Sequence, residues 1–327
     1  MDGTGIATHA AFGLAYGVIL QRSGFCFARA GLEPFLLRAH EACDGVVAGL
    51  VAATVGFAVV AAATGAEANR HLIVLPLGAG TALGGVCFGL GMTLAGMCAA
   101  GSLVRMGEGY AVGGAALLGL VAGALADPFT PAHLGVPGNQ ARASLGELLG
   151  STRGAAVTIA ALLGLGWAAR RRARGEAGRD ASSGRAVIGG LLLGGVNTLQ
   201  AWLASPWTIT YPLAALPRVV GGRAGAPLEQ AVPFLALDGA LVAGALASQA
   251  MGSRVRLRWP RSPGDLARAF AGGALMAWGV GLAHGCAIGG LFSALPSLSL
   301  SAWVFLPAIL VGAYLGSRLL AALARRG

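Results

Sequence analysis

Charged side chains are scarce in this chain. Only 11% of its 327 residues are charged, whereas 56% are hydrophobic, and the mean hydropathy is +0.72. So little polar surface cannot cover a water-soluble body of this size. The composition therefore excludes a soluble globular protein and predicts a membrane protein. The 55 glycines suit closely packed transmembrane helices, where small residues let backbones approach each other.

Closely spaced cysteine pairs are also absent. The five cysteines show no pairing pattern, which argues against a disulfide framework. No two of them are separated by two residues, the spacing typical of zinc sites and of vicinal-thiol redox sites. We therefore expect no metal and no cofactor, although His284, two residues before Cys286, leaves a metal or proton role open.

Signals for several other protein classes are missing. Nothing resembles a nucleotide-binding loop, so direct use of ATP is not expected. No basic segment precedes the first apolar run, so we expect no cleavable signal peptide. The net charge of +10 could suggest a nucleic-acid partner, but the arginines cluster between apolar spans without interleaved aromatic residues. Nucleic acid is therefore not an expected partner.

What the chain does contain is a repeated stretch rich in glycine and cysteine. Residues 84–110, GGVCFGLGMTLAGMCAAGSLVRMGEGY, return at 272–297 as GGALMAWGVGLAHGCAIGGLFSALPS. At one constant offset the equivalent pairs are Cys98 and Cys286, Gly84 and Gly272, Gly91 and Gly279, and Gly101 and Gly289. Other landmarks, including Asp44 and Asp238, follow in the same order. Several landmarks in one order indicate an internal duplication.

The sequence predicts an all-α polytopic membrane protein with about nine transmembrane helices and short re-entrant half-helices. The predicted helix cores are 8–20, 44–64, 78–98, 112–126, 154–170, 186–203, 234–251, 267–286 and 301–323. The first core is too short for a hydrocarbon layer about 30 Å thick, which needs roughly 20 residues. We expect it to stop near the interior and to continue, past SGFCFA, as a half-helix over about 28–40. In the second half SPWTIT takes the place of SGFCFA and has no cysteine.

The polar run at 170–185 separates two predicted membrane repeats, 1–169 and 186–327. With nine spans, most of the 23 arginines fall on the side of this linker. The positive-inside rule then puts the linker and the C-terminus in the cytoplasm and the N-terminus in the periplasm. The two repeats enter the membrane from opposite sides, so the duplication is inverted. Inverted repeats with interrupted helices predict a substrate site near the bilayer midplane.

The helix breaks supply the candidate substrate path. A neutral thiol is a weak donor with a polarizable surface, and half-helix N-termini favour an anion. The predicted path residues are Cys98, Cys286, Cys26, Gly96, Gly101, His284, Gly289 and Arg105. Buried structural cysteines and a solvated loop arginine are the alternative interpretation. We expect Asp44 and Asp238 to cap helix ends, which leaves no buried carboxylate for proton coupling.

At GMCAAGSLVRMGEG, HGCAIGG and SGFCFA the chain resembles the YeeE/YedE family of bacterial inner-membrane sulfur transporters. The resemblance implies thiosulfate uptake through an hourglass-shaped protein built of inverted repeats, with cysteines lining its narrow middle. It also implies that Cys26, Cys98 and Cys286 hand the anion inward through transient S–H···S contacts. Family members often work with a small cytoplasmic sulfurtransferase, and some relatives are linked to selenium metabolism.

From these signals we expect a transporter in the bacterial inner membrane and not an enzyme. The cysteines are expected to remain neutral thiols that bind the anion without covalent chemistry. Two alternatives stay open at this point. One is a membrane-embedded sulfurtransferase that relays sulfane sulfur through a reactive thiolate. The other is a transporter of a different small sulfur or selenium anion.

Overall fold

A computed structural model describes residues 3–33, 39–64, 72–126, 142–173, 181–210, 212, 228–252, 256–260 and 262–325. Regular structure within these ranges is helical. The helices are α1 Gly3–Ser23, α2 Phe27–Leu32, α3 Glu41–Thr64, α4 Ala79–Ala95, α5 Ala99–Gly107, α6 Ala111–Ala126, α7 Leu145–Leu149, α8 Ser151–Ala173, α9 Ala181–Leu203, α10 Leu228–Gly252, α11 Pro263–Ala283, the π-helix Ala287–Ser293, and α12 Leu300–Ala324.

Seven helical segments in the described ranges are long and apolar enough to cross a membrane. They are Glu41–Thr64, Ala79–Gly107, Ser151–Arg171, Gly184–Leu203, Ala231–Gly252, Pro263–Ala283 and Leu300–Leu323. Helix α6 is apolar but shorter. The prediction of an all-α polytopic membrane protein is confirmed, and each of the nine predicted cores coincides with most of an observed helix.

The first helix is longer than the sequence predicted. Helix α1 has 21 residues, about 31 Å at the helical rise, whereas the predicted core 8–20 is shorter. It is not among the seven long apolar segments, and its end near the membrane interior stays a prediction. Two polar side chains of α1, one within the predicted core and one just after it, have partners in the second half of the chain. His9 Nε2 lies 3.0 Å from Ser205 Oγ, and Gln21 Nε2 donates to Gln249 Oε1 at 2.9 Å. The following half-helix, α2, was predicted over 28–40 and ends at Leu32; residues 34–38 lie outside the described part.

Helix packing comes in pairs that the proposed repeat relates to each other. Helix α1 packs on α10 and α3 packs on α9; α4 packs on α12 and α11 packs on α6. If α1, α3, α4 and α6 are equivalent to α9, α10, α11 and α12, these are two sets of equivalent contacts. Helices α4 and α11 pack directly on each other, and α8 packs on α3 outside this scheme. The pairing supports the inverted repeat with boundaries 1–169, 170–185 and 186–327, which remains a proposal.

The two aspartates do not cap helix ends as predicted. Glu33 does this for α3, because its Oε2 accepts from the Ala42 backbone N–H at 2.8 Å. The buried Asp44 carboxylate instead accepts from Arg170 Nε at 2.8 Å and contacts His40 Nδ1 at 2.9 Å. Its role is therefore to tie α3 to the end of α8.

Asp238 lies well inside α10, because that helix already begins at Leu228 and continues past Pro233. Its side chain is 9% exposed, and its Oδ1 has no hydrogen-bond partner among the described residues. The expectation that every carboxylate near a span sits at a helix end was wrong here, because the true start of α10 precedes the apolar core that was used to predict it.

Candidate functional site

The first half of the site is the break between α4 and α5. Helix α4 ends at Ala95, and the φ of its C-cap Gly96, 71°, lies in the left-handed region that glycine adopts freely. Cys98 then takes an extended conformation and is the N-cap of α5. Its Sγ accepts from the Gly101 backbone N–H at 3.5 Å. The sulfur thus occupies the position of an ordinary polar cap, while its hydrogen stays available for a ligand.

The second half repeats this geometry at the end of α11. His284, equivalent to Gly96, also adopts a left-handed conformation, with φ of 58°. Cys286 is the N-cap of the π-helix, and its Sγ accepts from the Gly289 N–H at 3.4 Å. Both thiols are buried, with 3% of Cys98 and 1% of Cys286 exposed. In both copies the glycine thus lies three residues after the N-cap cysteine, where its backbone N–H can donate to the cysteine sulfur.

Cys26 is the third cysteine of the site. It is the N-cap of α2, its side chain makes no capping bond, and it is partly exposed. The thiols of Cys26 and Cys286 both lie close enough to Cys98 for electrostatic interaction. Cys43, in contrast, donates to the Ala30 carbonyl at 3.7 Å. The structure thus brings together the three cysteines that the sequence singled out.

A side chain at the third position after each cysteine would be closely packed against its neighbours. A Cβ atom on Gly101 would lie 3.2 Å from Met97 Cβ, and one on Gly289 would lie 3.3 Å from Thr208 Cγ2. Neither α5 nor the π-helix has an acidic residue in its first turn. The partial positive charge at these N-termini is therefore not neutralised by a local carboxylate, which favours an anionic ligand.

An aromatic cluster beside the cysteines was not anticipated from the sequence. Trp207 and Tyr16 stack at 3.7 Å between ring centroids and are fully buried. Phe292 of the π-helix packs edge-on against Trp207, and also against Phe25 and Phe27, the two neighbours of Cys26. The Tyr16 hydroxyl and the Trp207 Nε1 have no hydrogen-bond partner among the described residues. The cluster thus links the break at Cys26, the segment after α9 and the π-helix that follows Cys286, and it contains polar atoms without a partner in the described part of the chain.

A buried polar network fixes the segment after α9 against the π-helix. Asn197 Nδ2 donates to the Phe292 carbonyl at 2.7 Å, and the Trp207 N–H donates to Asn197 Oδ1 at 3.3 Å. Ser293 Oγ donates to the Trp207 carbonyl at 2.7 Å. Such a network rigidifies its surroundings only when its members are satisfied, as these are. An asparagine within the apolar span 186–203 was the available sequence signal.

The structure does not bring Arg105 to the cysteines. Its guanidinium is exposed, lies 3.3 Å from Glu108 and stacks over the Tyr110 ring at 4.9 Å. The alternative interpretation, a solvated arginine, fits this placement. His284 and Gly96 are exposed at the ends of their helices. In the described ranges no group of three or more His, Cys, Asp or Glu side chains could hold a metal.

A cavity of about 290 Å³ lies beside the cysteine site, among α2, α3, α4, α8, the π-helix and α12. Phe27, Met92 and Leu291 are among its lining residues, and the wall is almost entirely apolar. Cys26, Cys98 and Cys286 are not part of the wall. Because an apolar cavity cannot replace the hydration of an anion, it does not belong to an anion site.

Comparison with known proteins shows the family to which the chain belongs. A family model described as "Sulphur transport" matches residues 22–315. The chain belongs to the sulphur transport family. The resemblance to YeeE/YedE proteins is thereby confirmed, and all three site cysteines lie within the matched range.

Individual members of the family are similar to different extents. The thiosulfate transporter TsuA of Spirochaeta thermophila is 27% identical over 321 residues, which cover 89% of this chain and 92% of that protein. The probable transporter YedE of Salmonella typhimurium is 33% identical over 93 residues, 27% of this chain and 23% of that protein. YedE of Escherichia coli is 33% identical over 90 residues. The chain thus matches about a quarter of each YedE but nearly all of TsuA.

Proposed function

We propose that this protein takes up thiosulfate across the bacterial inner membrane along a path past Cys26, Cys98 and Cys286. The observation that carries the proposal is the pair of equivalent N-capping cysteines, each on a half-helix, with Cys26 close to Cys98. The likeness to a thiosulfate transporter over nearly the whole chain supports this choice of substrate.

The chemistry of the site matches the two ends of the proposed ligand. Thiosulfate has a soft terminal sulfur, which suits the polarizable thiols, and oxygens that accept from N–H and O–H donors. A dianion taken out of water meets a large desolvation cost. Several thiol donors and two uncompensated helix N-termini offset that cost without binding the anion so strongly that it cannot leave.

Passage in this proposal is non-covalent. Each thiol gives a transient S–H···S contact to the anion, and the sulfurs of Cys98 and Cys286 can still accept from the Gly101 and Gly289 N–H groups while they do so. No bond to sulfur forms or breaks, so no oxidant or reductant is required. The protein is then a transporter and not an enzyme, and a cytoplasmic sulfurtransferase takes the sulfur after delivery.

The proposed orientation in the membrane follows the positive-inside rule. The N-terminus is periplasmic, and the arginine-rich linker and the C-terminus are cytoplasmic, as the arginine distribution predicts. The lipid bilayer surrounds two inverted repeats whose breaks meet at the cysteines. The predicted path residues Gly96, Gly101, Gly289 and His284 provide backbone around these breaks, and Arg105 lies apart from them.

Uptake of labelled thiosulfate into proteoliposomes tests the proposal. Cys98→Ala and Cys286→Ala should abolish most uptake, whereas Cys43→Ala and Cys87→Ala, the matched controls, should leave it near wild type. Wild-type protein that takes up no thiosulfate would refute the substrate. Normal uptake by both Cys98→Ala and Cys286→Ala would show that these cysteines serve only in packing.

The same samples separate transport from sulfur transfer. After uptake, mass spectrometry of the cysteine-containing peptides should find no persulfide. A persulfide on Cys98 or Cys286 that forms and disappears at the rate of uptake would instead favour a membrane-embedded sulfurtransferase. Competition by sulfite, sulfide and selenium oxyanions would show whether another small anion is preferred.

A further inference from the structure

The segment that interrupts the second half has a residue equivalent to Cys26. Aligned position by position, SGFCFA at 23–28 and SPWTIT at 205–210 place Thr208 on Cys26 and Trp207 on Phe25. Phe25 and Trp207 both pack against Phe292, so the two segments meet at the π-helix. The position that lacks a cysteine therefore holds a side chain with a single hydroxyl donor.

Thr208 lies beside the second cysteine. The point that a Cβ atom on Gly289 would occupy is 3.3 Å from Thr208 Cγ2 and 4.0 Å from Cys286 Sγ. Both side chains are therefore on the same side of the Gly289 backbone, at the N-terminus of the π-helix. The corresponding glycine in the first half, Gly101, has Cys98 Sγ 3.8 Å from the same point.

The Thr208 hydroxyl is an unpaired polar group in the described part of the chain. Its Oγ1 is buried and has no hydrogen-bond partner among the described residues. The neighbouring Trp207 Nε1 is unpaired in the same sense, on a side chain with 0% exposure. A buried donor without a partner costs free energy, typically about 1–3 kcal/mol, so two adjacent ones point to a ligand that uses them.

We propose that Thr208 is the fourth donor of the substrate path, where its hydroxyl replaces the thiol found at Cys26. The inference rests on the proposed function and deepens it. A hydroxyl is a harder donor than a thiol, so Thr208 binds a sulfonate oxygen while Cys286 contacts the terminal sulfur. A site with one hydroxyl donor and one thiol therefore selects an anion that carries both an oxygen and a soft sulfur atom.

Three substitutions at this position test the role of the hydroxyl in uptake. Thr208→Val keeps the shape and removes the donor, and it should raise the KM for thiosulfate about ten-fold, the effect of one lost hydrogen bond to a charged ligand. Thr208→Ser keeps the donor and should stay within about two-fold of wild type. Thr54→Val is the matched control, because the Thr54 hydroxyl is buried but bonds to the Leu50 carbonyl at 2.7 Å. An unchanged KM in folded Thr208→Val would overturn the inference.

Labelling of Thr208→Cys tests the location independently of transport. A membrane-impermeant anionic thiol reagent should modify position 208, as read by mass spectrometry of its peptide, and thiosulfate should slow this reaction. Thr54→Cys should remain unmodified. If position 208 is not modified, it is off the path and the inference fails. If wild type transports but thiosulfate gives no protection at 208, the contact is likewise refuted.

These assays distinguish failure of the inference from failure of the proposed function. If wild-type protein takes up no thiosulfate, the substrate is wrong whatever happens at position 208. In that case, modification of Thr208→Cys that a different sulfur or selenium oxyanion slows would still support Thr208 as a donor on the path. Modification that none of these anions slows would overturn it.

Discussion

Gly84 of α4 and Gly279 of α11 meet so closely that a Cβ atom on Gly84 would lie 2.5 Å from the Gly279 carbonyl oxygen. Gly91 and Gly272 meet in the same way, also at 2.5 Å. The sequence repeat aligns Gly84 with Gly272 and Gly91 with Gly279. The two contacts are therefore equivalent, as an axis of two-fold symmetry between α4 and α11 requires. The breaks at Cys98 and Cys286 follow directly on the C-terminal ends of these two crossing helices.

A methyl group at this crossing should destabilise the protein. Gly279→Ala is expected to cost about 1–3 kcal/mol, because the added carbon meets backbone that cannot move aside. Thermal unfolding in detergent measures the change. Gly281→Ala in the same helix is the control, since a Cβ there has nothing within 4 Å. Equal unfolding temperatures of the two variants would contradict the close crossing.

Serine at the two central positions should separate capping from substrate binding. Cys98→Ser retains an N-cap acceptor for the Gly101 N–H, so stability should be kept or slightly raised. Uptake should fall, because the hydroxyl is less polarizable than the thiol towards the soft end of the anion. Thermal unfolding and uptake measured on one preparation check this prediction. A variant with full uptake would show that the cap, and not the sulfur, is what transport requires.

The ion pair between Asp44 and Arg170 should hold α8 against α3. Asp44 is 4% exposed, and Arg170→Ala leaves its carboxylate with the His40 contact alone among the partners described above. Loss of a hydrogen bond to a charged group predicts a destabilisation of about 1.5–3 kcal/mol, which thermal unfolding can detect. Arg268→Ala removes an exposed pair with Asp265 and serves as the control, with an expected cost of about 0–1 kcal/mol. If both changes cost the same, α8 does not depend on this pair.

Asn197 should be essential for the conformation of the segment after α9, residues 204–210. Asn197→Leu is close in size but leaves the Phe292 carbonyl and the Trp207 N–H unpaired in a buried site, at about 1–3 kcal/mol for each group. We expect lower stability and, because Trp207 and Thr208 shift, lower uptake. Thr64→Val is the control, since the Thr64 hydroxyl bonds only to a helix carbonyl at 2.8 Å. Wild-type uptake by Asn197→Leu would show that the segment after α9 is held by packing alone.

Local sequence determined much of this protein. Composition specified a membrane protein, and apolar runs located the nine helix cores, because the bilayer requires length and apolarity of each span separately. Gly96, Cys98 and Gly101 specify a helix stop, a cap and a close approach within six residues. Their repetition at His284, Cys286 and Gly289 identified the candidate site from the sequence alone.

Tertiary structure decided the features that depend on distant partners. Helix α1 continues past its apolar core at Gln21, whose amide donates to Gln249, 228 residues away, and His9 within the core contacts Ser205. Packing in three dimensions likewise placed Tyr16 on Trp207 and left the Thr208 hydroxyl unpaired beside Cys286. No local pattern encodes these contacts, since each depends on which helices the α4–α11 crossing brings together. The sequence therefore identified the cysteines, and only the tertiary structure placed Trp207 and the Thr208 hydroxyl beside them.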